Sequence, residues 1–237
     1  MKERDYYEMV EEREGYASLA FPKLMRKVYV WMTLALVITG FTAYGVSTSP
    51  AILQAIMTNR ILFFGLMIAE LALVVWVSAG INRLSLTSAT LLFILYSVIN
   101  GVTMSFIFLA YTRTSIASVF LITAGTFAVM ALIGYTTKTD LSSMGKILFM
   151  ALIGVILATI VNLFLKSSMF DYILSWIGVA VFVGLTAYDT QKIKQMLMYQ
   201  DEADERGQKV ALLGALSLYL DFINLFIHLL RIFGSRD

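Results

Sequence analysis

The chain has 237 residues, of which 59% are hydrophobic and only 14% charged, and its net charge is +2. Soluble domains run nearer a quarter charged, so this apolar excess has no core to hide in and the chain reads as an integral membrane protein. The lack of cysteine excludes disulfide frameworks, thiolate nucleophiles and cysteine-ligated metals. A single histidine, His228, cannot build the multi-imidazole site of a zinc hydrolase, and no cofactor is expected. Basic residues flank apolar runs instead of clustering with aromatics on a polar surface, which excludes nucleic acid as a partner.

Residues 1–23 mix acids and bases (Glu3, Arg4, Asp5, Glu11, Arg13) and lack the apolar stretch of a signal peptide. They read as a cytoplasmic N-terminal segment. A transmembrane domain follows over 24–233, and 234–237 form a short C-terminal tail. A bilayer-crossing helix needs roughly 20 apolar residues. Runs of that kind predict seven helices, at 28–49, 61–81, 86–111, 116–135, 146–165, 171–190 and 210–233. The breaks carry their own chemistry: Ser49-Pro50 disfavours helix continuation, Asn82 and Arg83 interrupt apolar sequence, and 136–145 is polar.

Basic loops stay cytoplasmic. With the N-terminus inside, only Arg60, Arg113, Lys166, Arg231 and Arg236 face outward, out of 18 lysines and arginines. The expectation is a multi-pass protein of the plasma membrane with its N-terminus cytoplasmic and, if the last segment crosses, its C-terminus outside. Small residues four apart at Gly154 and Ala158, Ala180 and Gly184, and Ala211 and Ala215 would let helix backbones approach closely in lipid.

A carboxylate mid-span costs about 2.5–3.5 kcal/mol on insertion scales, so it needs a partner, water or a job. Asp221 lies deep in the last apolar run and Glu70 near the middle of the second, while Asp189 falls near the inner end of the sixth. Asp221, Asn224 and His228 follow an i, i+3, i+7 progression that places them on one helix face. Helix-to-helix bonding is the plain role for Asn224 and His228. Asp189 has Lys192 three residues on as a possible ion-pair partner, and Arg83 at the end of the second helix could serve only as a topology anchor.

The run Thr186-Ala187-Tyr188-Asp189-Thr190-Gln191 and the longer run Leu216-Ser217-Leu218-Tyr219-Leu220-Asp221-Phe222-Ile223-Asn224-Leu225-Phe226 resemble the Bax inhibitor-1 family, also called the transmembrane Bax inhibitor motif family, in its short bacterial form. The resemblance implies an all-α fold in which a central C-terminal helix is surrounded by six others, and a pH-sensitive calcium leak across a bacterial inner membrane. It makes Asp189 and Asp221 a paired pH sensor that ligates calcium as transported ion, Arg83 a latch on that pair, and Glu70 an acidic residue of the cation pathway, with Asn224 and His228 beside it. Two carboxylates within a few Å cannot both stay ionised cheaply and can share a proton; deprotonated, they offer the oxygen ligands calcium prefers.

Beyond the lipid bilayer, the expected partners are calcium ions and protons, and another membrane protein if the chain is a non-conducting regulator of a protease or other integral protein. A calcium/proton antiporter would carry the same carboxylates. Enzymatic readings fare worse. Leu218, Tyr219 and Leu220 stand where an intramembrane aspartyl protease carries Gly-x-Gly. Ser217 and His228 lie 11 positions apart on one helix, roughly 16 Å, too far for a serine-protease pair.

Overall fold

The computed structural model describes residues 3–198, 200–201 and 204–236, with side chains from Ala20 onward. Among the described residues the chain forms helices and no strand. These are α1 (Glu3–Ser47), α2 (Pro50–Thr58), α3 (Arg60–Gly80), α4 (Leu86–Met104), α5 (Ile107–Ala110), α6 (Arg113–Thr136), α7 (Ser142–Leu165), α8 (Ser168–Leu197) and α9 (Glu205–Phe233). Among the described residues seven stretches are long and apolar enough to cross a bilayer: Ala20–Ser47, Arg60–Gly80, Leu86–Ala110, Arg113–Thr136, Ser142–Leu165, Ser168–Leu197 and Glu205–Phe233.

The predicted spans are all present, but several bounds move. The first span begins at Ala20, with Pro22 inside it, and its helix continues back to Glu3. The break at Ser49-Pro50 ends α1 at Ser47 with Ser49 extended, and a short helix follows it. Proline suits the first position of a helix, where its missing N–H costs nothing, and α2 starts there. The apolar run also understates α8, which ends seven residues past the predicted bound. Gln191, Lys192, Lys194 and Gln195 end the apolar run yet are good helix formers, and Ile193 and Leu197 are buried, so packing carries the helix onward.

Helix starts are fixed by side-chain caps. Asn59 accepts from the Ile61 and Leu62 amides at 3.1 Å each. Ser85, Thr112 and Ser167 do the same for α4, α6 and α8. The tight turn from α7 into α8 puts Lys166 at φ 51°, a left-handed conformation costly for a side chain. Reciprocal bonds between Asn162 and Ser167, Nδ2 to carbonyl at 3.2 Å and amide to Oδ1 at 3.1 Å, hold it.

Burial orders the bundle. In α9 67% of the apolar stretch is buried, against 11% in α3 and 6% in α7, so α9 is the central helix. It packs on α8, α1, α6 and α4, while α3 and α7 complete the surround by packing on α4 and α8. Of the small-residue pairs, Ala211 and Ala215 are buried at 1% and 0% exposure. Ala180 is exposed and no neighbour lies against Gly154. Those positions face outward, so spacing alone misassigned them. Close approach rests instead on Gly134, where a Cβ would overlap the Ala187 carbonyl of α8, and on Gly178, where it would overlap the His228 ring.

Candidate functional site

The α8–α9 interface brings the two aspartates together. Asp189 is eight residues inside α8, about 12 Å from its end, because the helix runs on through 191–197 past the apolar stretch. It is half-buried, with the Ser217 hydroxyl against its carboxylate and Lys192 the nearby cation. Ser217 and Asp221 are one turn apart on α9 and therefore share a face. Asp221 is only 5% exposed, its Oδ2 has no hydrogen-bond partner among the described residues, and the ionisable group acting on it is Asp189. Such an orphaned carboxylate oxygen in a tightly packed interface is costly unless a proton or a cation visits it.

On the N-terminal side of this pair a polar cavity of about 790 Å³ opens between the end of α3, the end of α8 and the start of α9, lined among others by Asn82, Gln195, Asp204, Glu205 and Lys209. Leu213 of α9 also lines this vestibule and lies one turn before Ser217.

The other sequence-predicted residues do not all join them. Arg83 sits exposed in the turn after α3, and among the described residues no ion pair links it to Asp189 or Asp221; the latch implied by the family resemblance is not formed in this structure. Asn224 turns back on its own helix, Nδ2 donating to the Leu220 carbonyl at 2.8 Å. The i, i+3, i+7 stripe is therefore not one continuous polar track. His228 does face α8, stacked on Phe182 with ring centroids 5.7 Å apart, and its Nδ1 is buried without a hydrogen-bond partner among the described residues. At the far end of the same interface Arg231 Nη1 meets Asp171 Oδ1 at 3.2 Å.

Glu70 belongs to a different cluster. Its Oε1 accepts from Thr103 at 2.6 Å, and the Asn100 side chain also bonds it. The Asn100 Oδ1 accepts from the Tyr219 hydroxyl at 2.9 Å, which lies 2.7 Å from Thr39 Oγ1; Thr39 also donates to the Ser97 carbonyl at 2.9 Å. Two residues are 200° of helix rotation, so Tyr219 points at α1 and α4 while Asp221 points at α8. Glu70 and the aspartates therefore approach α9 from opposite sides. Sequence reasoning missed Thr39, Asn100 and Tyr219 as a cluster; Asn100, polar in mid-span, was the available signal.

No group of three or more His, Asp or Glu side chains able to hold a metal forms among the described residues. Calcium takes six to eight oxygens, so Asp189 and Asp221 with Ser217 supply only part of a shell.

The family model described as "Inhibitor of apoptosis-promoting Bax1" matches residues 22–237. The inner membrane protein YbhL of Escherichia coli K12 is 54% identical over 213 residues, 90% of this chain and 91% of its own. An uncharacterized protein of Borreliella burgdorferi is 44% identical over 90% of this chain and 92% of its own. An uncharacterized membrane protein of Streptococcus pyogenes serotype M6 is 40% identical over 93% and 96%. A seven-span helical bundle with a buried C-terminal helix, matched by that family model over nearly its whole length, is a multi-pass membrane protein belonging to the Bax inhibitor-1 family.

Proposed function

We propose that the chain is a pH-sensitive calcium leak pathway of a bacterial inner membrane, N-terminus cytoplasmic, with Asp189 and Asp221 as its proton switch. The observation that carries this reading is the Asp221 carboxylate, buried at the α8–α9 interface with Oδ2 unpartnered and facing Asp189. A proton held between the carboxylates satisfies the orphaned oxygen and keeps the helices together. Its loss leaves two like charges in one interface, which separates α8 from α9 or draws in a cation. The inner-membrane location is supported by the name of the E. coli relative, and the reading involves protons and calcium as cargo, with no covalent chemistry and no bound cofactor.

The test is calcium flux into liposomes holding the purified protein, measured across pH with and without an imposed proton gradient. Flux should depend on pH, and Asp189→Asn, Asp221→Asn and the double variant should lose that dependence alike, because a coupled unit is broken by either change. Flux driven by the proton gradient would make the protein an antiporter, and no flux would make it a non-conducting regulator. Independent, additive effects of the two variants would end the paired mechanism. Arg83→Ala should leave flux at neutral pH at the parent level, since the side chain is exposed; a rise would restore the latch.

A further inference from the structure

We infer that the groove between α1 and α6 is a binding site for one acyl chain of an anionic glycerophospholipid, drawn from the leaflet on the N-terminal side. α1 and α6 both pack on α9 and hardly on each other, which leaves a groove of about 940 Å³ between them, near the upper end of ligand-site volumes. Its walls are apolar, with Leu36 and Ala128 on the two sides, and its floor is Phe222 of α9, held by Phe120 and Phe127 at ring-centroid distances of 5.2 and 5.5 Å. In a bilayer-spanning chain this opening faces lipid, and only an acyl chain matches such walls there.

The headgroup end is chemically distinct. Arg26 and the Tyr29 and Tyr135 side chains line the groove at its N-terminal-side end. Arg26 is exposed and has no ion pair or hydrogen bond with any described residue. Lys194 sits 5.1 Å from the Tyr135 ring centre and donates to the Tyr135 carbonyl at 2.8 Å. Phe21 stacks on Tyr135 at 6.2 Å and closes α1 onto α6 at that end. The Arg26 guanidinium and two phenols at the end of an apolar slot match a phosphate headgroup with its chain inserted below. The site is independent of conduction and of the aspartate pair, although its floor is the residue next to Asp221.

The test is native mass spectrometry of the full chain released from micelles containing equal phosphatidylglycerol and phosphatidylcholine of the same chains. The parent should retain one lipid, with phosphatidylglycerol favoured about two- to fivefold, the size expected of an exposed charge pair. Arg26→Gln should bring that preference to about one. Ala128→Trp, which fills a slot from an exposed position, should abolish retention of both lipids, with helicity and melting temperature checked by circular dichroism. Equal retention of the two lipids by the parent, an unchanged preference in Arg26→Gln, or parent-like retention in folded Ala128→Trp would each overturn the proposal. Arg26 is exposed, so its variant decides the question even if the tryptophan variant does not fold.

Discussion

Tyr219→Phe removes one oxygen from the centre of the bundle. The side chain has 0% exposure, and its hydroxyl is 2.7 Å from Thr39 and 2.9 Å from Asn100. Ring packing against Phe93 and Tyr96, at 5.9 and 5.8 Å, is untouched, so the substitution isolates the hydrogen bonds. Side-chain hydrogen bonds inside membrane proteins average about 0.6 kcal/mol, so two give roughly 1 kcal/mol. Leaving the buried Asn100 Oδ1 without its donor raises the ceiling to about 3 kcal/mol. At about 2–4 °C per kcal/mol for a chain of this size, thermal unfolding in detergent should fall by about 2–12 °C. Thr39→Val cuts the same network from α1, and the double variant should cost less than the two singles together by about 0.5 kcal/mol or more. A Tyr219→Phe melting temperature equal to the parent's, or strictly additive costs, would refute the claim that this network ties α9 to α1 and α4.

Gly178→Ala should destabilise the protein by about 1–3 kcal/mol through overpacking, because the new methyl meets the His228 ring held on Phe182; adding His228→Ala should recover part of the loss in the same melt. Asp140 lies outside the spans, in the loop before α7, and hydrogen bonds from the Ser142 hydroxyl first and then from the Ser142 amide, at 2.9 Å, hold its pKa below the ordinary value. A depressed carboxylate pKa stabilises above the unfolded value and is lost as pH falls through the folded one, so protection of the Ser142 amide from hydrogen exchange should persist at neutral pH and drop only below about pH 4; protection unchanged in Asp140→Ala would exclude the cap. With seven crossings, tags placed before Met1 and after Asp237 should be accessible from opposite sides of the membrane, and same-side labelling would make α9 a re-entrant segment.

Length, apolar content and the spacing of Pro50, Arg83 and the polar 136–145 stretch were enough to read seven spans, because a bilayer forces each crossing to be a continuous apolar run with its backbone bonded internally. Asp189 and Asp221 were legible as charges that should not lie in lipid, and the motifs around them carried the family. Partnership was not legible. The end of α8 depends on Ile193 and Leu197 finding burial after the apolar run has stopped. Ala211 packs where Ala180 does not, although their spacing is the same. Asn224 bonds back to Leu220 while its face-mates Asp221 and His228 meet α8. Arg83 stays in solvent, and Glu70 joins Asn100 and Tyr219 on the opposite side of α9 from the aspartates. Each of these depends on which neighbouring helix stands at a given azimuth. That arrangement is settled by side-chain volumes meeting between helices distant in sequence, and local periodicity, which describes one helix at a time, does not contain it.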